Sequence, residues 1–178
     1  MSKVLAIDTS TSRTCVAIID GEAVLYSGHR DGATAHGPSL PELVQEALAV
    51  SDVDEVIVGM GPGPFTGLRV GIAFAHTFAL AREIPVRGVC SLDAIAAQVS
   101  DKDFIITVDA RRKEVYWARY TNGLRVGEPA VNFPVDVSGA VIHADLFPDM
   151  YALVNLPGNI TEPIYLRRPD AVATADRS

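Results

Sequence analysis

Apolar residues along the chain follow first a strand period and then a helical one. Residues 4–7 form a short apolar run bounded by turn residues, which predicts a buried strand. The polar turn Asp8-Thr9-Ser10-Thr11-Ser12-Arg13 follows, and residues 14–19 return as a second strand. Asp20-Gly21 is a hairpin signal, with a third strand over 23–27. The period then changes. Ser39-Leu40-Pro41-Glu42 has the spacing of a capping box, and proline is tolerated in a first helical turn. Leu40, Leu43, Val44, Ala47 and Leu48 form one apolar stripe, predicting a helix over 39–50. Residues 56–58 read as a buried strand running into Gly61-Pro62-Gly63-Pro64-Phe65-Thr66-Gly67. Thr66 is expected to cap a second helix ending near Arg82, residues 86–89 to form a strand, and Ser91 to cap a third helix over 92–99.

Near residue 104 the pattern starts again. Phe104-Ile105-Ile106-Thr107-Val108-Asp109 is an apolar strand ending in Asp, followed by a polar turn, a returning strand over 115–120 and the hairpin signal Asn122-Gly123. The same order, with an Asp closing the first strand, occupies residues 4–21, so the unit reads as an internal duplication. Three antiparallel strands followed by alternating helix and strand predict an α/β fold, a duplicated mixed sheet flanked by helices. The expected lobes are 1–102 and a shorter 103–168. Beyond Gly127 the signals are a strand over 141–143, a helical turn over 145–150, an apolar element at 164–166 and a polar tail over 169–178 that is expected to fray.

Composition narrows the function classes. The chain has 178 residues, 48% hydrophobic and 21% charged, enough for a full core. A formal net charge of -7 argues against a broad nucleic-acid-coating face, and the clusters Arg111-Arg112-Lys113 and Arg167-Arg168 are short enough to read as solvated surface. Asp8 arrives after only four apolar residues, unlike a signal peptide, and no apolar stretch is long enough for a bilayer. Cys15 and Cys90 lack CxxC spacing and read as buried reduced thiols. The expected location is the cytoplasm, with no membrane partner.

Candidate chemistry is sparse. A strand, an Asp-bearing hydroxyl-rich turn and a returning strand form the phosphate grip of the actin, Hsp70 and sugar-kinase superfamily, which nominates Asp8, Thr9 and Ser10 for nucleotide contact. Those kinases usually place glycine after the Asp to let the backbone approach phosphate; here Thr9 stands there, so any ATP or ADP contact is expected to be weak or to need partners. The turn at Gly61 precedes a helix N-terminus but has no Walker sequence, and Pro62 and Pro64 remove two of its N–H donors. His29, His36, His76 and His143 show no metal-ligand spacing, so no metal is expected. No Gly-x-Ser-x-Gly supports a peptidase. The helix after Gly67 is apolar almost all round, and Gly67, Gly71, Ala75 and Ala79 make a stripe of small residues. Leu40, Leu43, Val44, Ala47, Leu68, Gly71, Ile72, Ala75, His76 and Ala79 are therefore the expected partner or dimer interface, which a Glu at Ala75 should break without unfolding the monomer.

Four motifs in order, Val4-Leu5-Ala6-Ile7-Asp8-Thr9-Ser10, Gly61-Pro62-Gly63-Pro64-Phe65-Thr66-Gly67-Leu68-Arg69-Val70-Gly71, Asp109-Ala110-Arg111-Arg112-Lys113-Glu114-Val115-Tyr116 and Pro163-Ile164-Tyr165-Leu166-Arg167, resemble the TsaB (YeaZ) family of bacteria. The resemblance implies an actin-like (ASKHA, ribonuclease H-like) fold in two lobes. It implies a non-catalytic helper in forming threonylcarbamoyladenosine beside the anticodon of tRNAs that read A-starting codons. The implied partners are a TsaD-type catalytic subunit, a TsaE-type ATPase and a second copy of the chain, with tRNA reached only through the complex. The sequence departs from the family at Pro64, where Ser is common, at the spacing of His36 from Leu40-Pro41, and in its short second lobe. The competing class is a free-standing actin-like ATPase or small-molecule kinase.

Overall fold

The computed structural model describes residues 2–167. The polar tail expected over 169–178 lies outside them. The first sheet is built from β1 (Lys3–Asp8), β2 (Arg13–Asp20), β3 (Ala23–Asp31), β4 (Glu55–Gly59) and β5 (Val86–Val89), in the order β3-β2-β1-β4-β5. The first three strands are antiparallel, while β4 and β5 run parallel to β1. The second sheet holds β6 (Asp103–Asp109), β7 (Val115–Thr121), β8 (Leu124–Asn132) and β9 (Val141–His143), in the order β8-β7-β6-β9. There too the opening strands are antiparallel and the return strand β9 is parallel to β6. The duplication is therefore topological, and this is the actin-like α/β fold.

Alternation along β1 and β2 sorts the core into two layers. Leu5, Ile7, Val16 and Ile18 face α1 (His36–Val50) and α2 (Phe65–Arg82), whereas Val4, Ala6, Cys15, Ala17 and Ile19 face the opposite side. Ala94 of α3 (Ser91–Ala96) and Met150 and Leu153 of α4 (Met150–Asn155) close that second side. Leu92 and Ile95 of α3 pack instead with Phe104, Ile106 and Tyr120 of the second sheet, so α3 belongs to both cores and joins the lobes. Arg125 of β8 reaches Asp93 of α3 at 3.0 Å, and the Tyr120 hydroxyl donates to the same carboxylate at 2.8 Å.

Several expected boundaries move, each for a physical reason. The first helix starts at His36, not Ser39, and Ser39 is buried in it rather than capping it. The second is preceded by Pro64 in an extended conformation with no side-chain cap, so Thr66 lies inside its first turn. It stops at Glu83, which adopts φ 55 and donates its N–H to Ala79 and Leu80. The third is shorter than expected, and the Ser91 hydroxyl is drawn away from capping, as described below. The turn expected over 145–150 becomes α4, capped by Asp149, whose Oδ1 accepts from the Ala152 N–H at 2.7 Å. Residues 164–166 form no regular element.

After β9 the chain crosses back toward the first sheet. The Arg87 guanidinium donates to the carbonyls of Val154, Leu156 and Gly158, which holds the end of α4 against β5. The Ile160 N–H then donates to the Gly88 carbonyl and the Ile164 N–H to that of Met60, each at 2.8 Å. Residues 150–160 thus pack on the first sheet, while Ile160 and Ile164 also touch the core of the second.

Space at two helical glycines makes a direct test. A Cβ on Gly71 would overlap the Thr9 hydroxyl, while one on Gly37 would meet nothing within 4 Å. Gly71→Val is expected to cost about 2 kcal/mol in urea denaturation, and Gly37→Ala to stabilise by about 0.5 kcal/mol.

Candidate functional site

The Asp8 turn was the expected nucleotide contact, and the fold fills it from within. Asp8 ends β1 with none of its surface exposed, and Thr9, Ser10 and Thr11 are buried beside it. Asp8 Oδ1 accepts from the Ser10 N–H at 2.8 Å and the Ser10 hydroxyl at 2.6 Å; Oδ2 accepts from the Ser91 hydroxyl at 2.6 Å. The Gly61 N–H donates in turn to Ser91 Oγ at 3.2 Å. Gly59 leaves the gap into which Asp8 and Ser91 fit, since any Cβ there would overlap the carboxylate. Burial raises the Asp8 pKa above its ordinary 3.8, and the Ser10 and Ser91 donors work against that rise.

Thr9 joins this knot to α2. Its hydroxyl donates to the Gly67 carbonyl at 2.7 Å and accepts from the Gly71 N–H at 3.2 Å, so it sits inside the first turn of the helix. Gly63 lies against the Ser10 backbone, and Gly67 against the Thr9 carbonyl and the His36 ring. His36 is buried with Nδ1 2.8 Å from Thr14 Oγ1, and burial lowers its pKa, favouring the neutral ring. Asp8, Thr9 and Ser10, the residues nominated for nucleotide contact, are thus buried, with their side-chain oxygens hydrogen-bonded within the chain.

Most of the residues nominated for an interface also lie in the interior. Leu40, Leu43, Val44, Ala47, Leu68, Gly71, Ala75 and Ala79 are all buried within the first lobe, so the small-residue stripe faces the sheet and the Asp8 turn. Small residues there let α2 approach β1 and Thr9 closely. Ala75 has no exposed surface, so a Glu at that position would attack the core first. Of the expected set, Ile72 is half-buried and His76 is exposed. The outward side of α1 carries Glu42, Gln45 and Glu46 and is polar.

The outward side of α2 was missed. Thr66, Arg69, Ala73, His76, Thr77 and Leu80 are exposed along it at steps of three or four residues, with Leu80 at 80%. A helix apolar almost all round turns its smaller side chains inward and leaves this second strip outside. The glycine stripe marks one side of the helix in the sequence, but whether that side faces the sheet or a partner is fixed only by the contacts of Thr9.

Between the lobes lies a cleft lined by Thr11, Ser12, Pro64, Asp109, Arg111 and Phe147. Its second-lobe rim is a left-handed turn, with φ of 61 at Arg111, 54 at Arg112 and 65 at Lys113. Each costs on the order of 1–2 kcal/mol without glycine. Asp109 Oδ1 accepts from the Arg111 N–H at 2.9 Å, and the Glu114 N–H returns to the Arg111 carbonyl at 3.0 Å. Among the described residues no group of three or more His, Cys, Asp or Glu is placed to hold a metal ion, and no helix is long and apolar enough to cross a membrane.

The knot's titration is measurable. Because folding raises the Asp8 pKa, the folded chain keeps a proton that the unfolded chain has lost. The stability this confers is full below the unfolded value and declines as pH rises through the folded one. Asp8→Asn removes the titration. The stability advantage of the wild type over Asp8→Asn, read from urea midpoints at pH values rising from about 4, should fall as pH rises; a difference constant with pH would contradict the assignment.

Comparison with known proteins agrees with this geometry. The family model for TsaD, tRNA N6-adenosine threonylcarbamoyltransferase, matches residues 30–157. An uncharacterized protein of Mycobacterium tuberculosis is 43% identical over 201 residues, covering 96% of this chain and 94% of that one. The tRNA threonylcarbamoyladenosine biosynthesis protein TsaB of Escherichia coli K12 is 35% identical over 139 residues, which is 71% of this chain and 59% of that protein. The YeaZ structure from Pseudomonas aeruginosa superposes with a TM-score of 0.74 at 27% identity, covering 87% of this chain and 90% of that one. With the model spanning most of the chain, the ordered motifs and the shared two-sheet fold, the chain belongs to the TsaB (YeaZ) family.

Proposed function

We propose that this protein is a non-catalytic scaffold subunit in the formation of threonylcarbamoyladenosine beside the anticodon of tRNAs. In this reading it acts with a TsaD-type catalytic subunit and a TsaE-type ATPase in the cytoplasm, and it pairs with itself when alone. The supporting observation is the outward strip of α2. Ala73, His76, Thr77 and Leu80 present a flat, largely uncharged surface on a helix whose inner side is fixed to the sheet. A homologous helix can lie against it closely because the central side chains are small. The internally satisfied Asp8 turn supports the non-catalytic part, since no carboxylate there is turned toward a substrate. The E. coli relative's name supplies the pathway.

Ala73→Glu places a charge in the middle of the strip at an exposed position. It should abolish both self-association, by light scattering, and co-purification with a TsaD-type protein, while leaving the melting temperature within about 2 °C of wild type. It should also remove tRNA modification in a reconstituted assay. An unchanged assembly would overturn the docking face. Modification that proceeds at full rate without this chain would overturn the scaffold role.

A further inference from the structure

Arg69, Arg111 and Lys113 are, with Lys3 and Lys102, the cations that lack an ion-pair partner in an acidic chain, taken among the described residues and leaving Arg112 aside. Arg13, Arg30, Arg82, Arg87, Arg119, Arg125 and Arg167 each sit within ion-pair distance of a carboxylate. Among the described residues Arg69, Arg111 and Lys113 have no such partner, although Asp and Glu outnumber Lys and Arg by 22 to 15. The fold also collects them. Arg69 lies over the Phe65 ring at 5.1 Å, and the Phe65 ring meets Tyr165 at 4.9 Å between centroids. Two residues beyond Tyr165, the Arg167 guanidinium donates to the Ala110 carbonyl at 3.1 Å and pairs with Glu114, so the C-terminal segment is fastened to the basic turn. Pro64 and Arg111 line the same cleft.

Arg69, Phe65 and Tyr165 thus form one group at the start of α2, and Arg167 links it to the left-handed turn, where the Arg111 guanidinium lies 3.5 Å from the Ala33 carbonyl. Tyr165 is 39% exposed. Unpaired cations beside an accessible aromatic ring suit a flexible polyanion that carries flat bases, since cations bind the phosphates and the ring offers a stacking face. A rigid duplex keeps its bases stacked on each other and gains nothing from the ring.

We propose that the group of Phe65, Arg69, Arg111, Lys113 and Tyr165 binds single-stranded RNA directly, in place of the purely indirect contact expected from the family resemblance. The choice of RNA as the polyanion rests on the proposed function. Arg111 and Lys113 contact phosphates, and Tyr165, backed by Phe65, stacks one base. Arg69 belongs both to this group and to the outward side of α2, whereas Arg111, Lys113 and Tyr165 lie on other segments and remain available when a partner docks around Ala73.

The test is fluorescence anisotropy of the full chain with a labelled RNA hairpin bearing an anticodon-like loop, against a fully paired RNA of equal length. Wild type should prefer the hairpin, with affinity falling steeply between about 50 and 200 mM salt. Arg111→Gln with Lys113→Gln should lower the slope of log affinity against log salt by about 1.4, or 0.7 per lost phosphate contact on a single strand. Tyr165→Leu, which keeps an apolar contact on Phe65, should weaken binding roughly five- to a hundred-fold with the slope unchanged, and Tyr165→Phe should restore it. Equal binding of hairpin and duplex, wild-type affinity in these variants, or the absence of salt-dependent binding overturns the proposal. Self-association of the same variants, unchanged by any of these results, reports on the docking reading separately.

Discussion

The Gly61 turn and the starts of α2 and α3 are positioned by one buried carboxylate and the threonine beside it. Asp8 draws Ser10 and Ser91 onto its oxygens, and Ser91 carries the Gly61 N–H with it. Thr9 then enters the first turn of α2 between Gly67 and Gly71. Two segments far from β1 in sequence therefore meet at its end: the Gly61 turn with the start of α2 that follows it, and the start of α3. A buried carboxylate is tolerable only when donors satisfy it, and every donor here comes from the chain itself. Removing any of the small residues around it would leave no room for the arrangement, because Cβ atoms at Gly59, Gly63 or Gly71 would overlap the knot.

That constraint accounts for the shape of the proposed function. Thr9 and Ser10 close the end of β1 with their own hydrogen bonds, and the Thr9 contacts hold the first turn of α2 against it. Rigid on its inner side, α2 can present small and apolar groups on its outer side without melting. The C-terminal segment adds a second brace, from Arg87 on β5 to Tyr165 against Phe65. A docking platform needs this kind of preorganisation, since every degree of freedom frozen on binding weakens the complex.

The strands and both hairpins were legible because alternation and the dipeptides Asp20-Gly21 and Asn122-Gly123 are local signals. The sense of α2 was not. Its apolar residues surround the axis, so periodicity could not say which side faces the sheet. The decision rests instead on Thr9, 58 residues from its Gly67 partner. Ser91 was read as a cap for the same reason: its hydroxyl had a near backbone in sequence and a distant carboxylate in space. The return of α4 to the first lobe is equally non-local, since Arg87 makes it by gripping three carbonyls of a segment with no strong pattern. The basic turn at Arg111 was visible as composition, but its left-handed backbone and its fastening to Arg167 were not.

Hydrogen exchange of the full chain, alone and with a TsaD-type protein, bears most directly on the claim that a fixed α2 presents its outer side to a partner. The account predicts new protection across Phe65–Arg82 and unchanged, already slow exchange at the buried amides of residues 8–11. Protection gained at residues 8–11 on addition of ATP, with α2 unaffected by the partner, would contradict it.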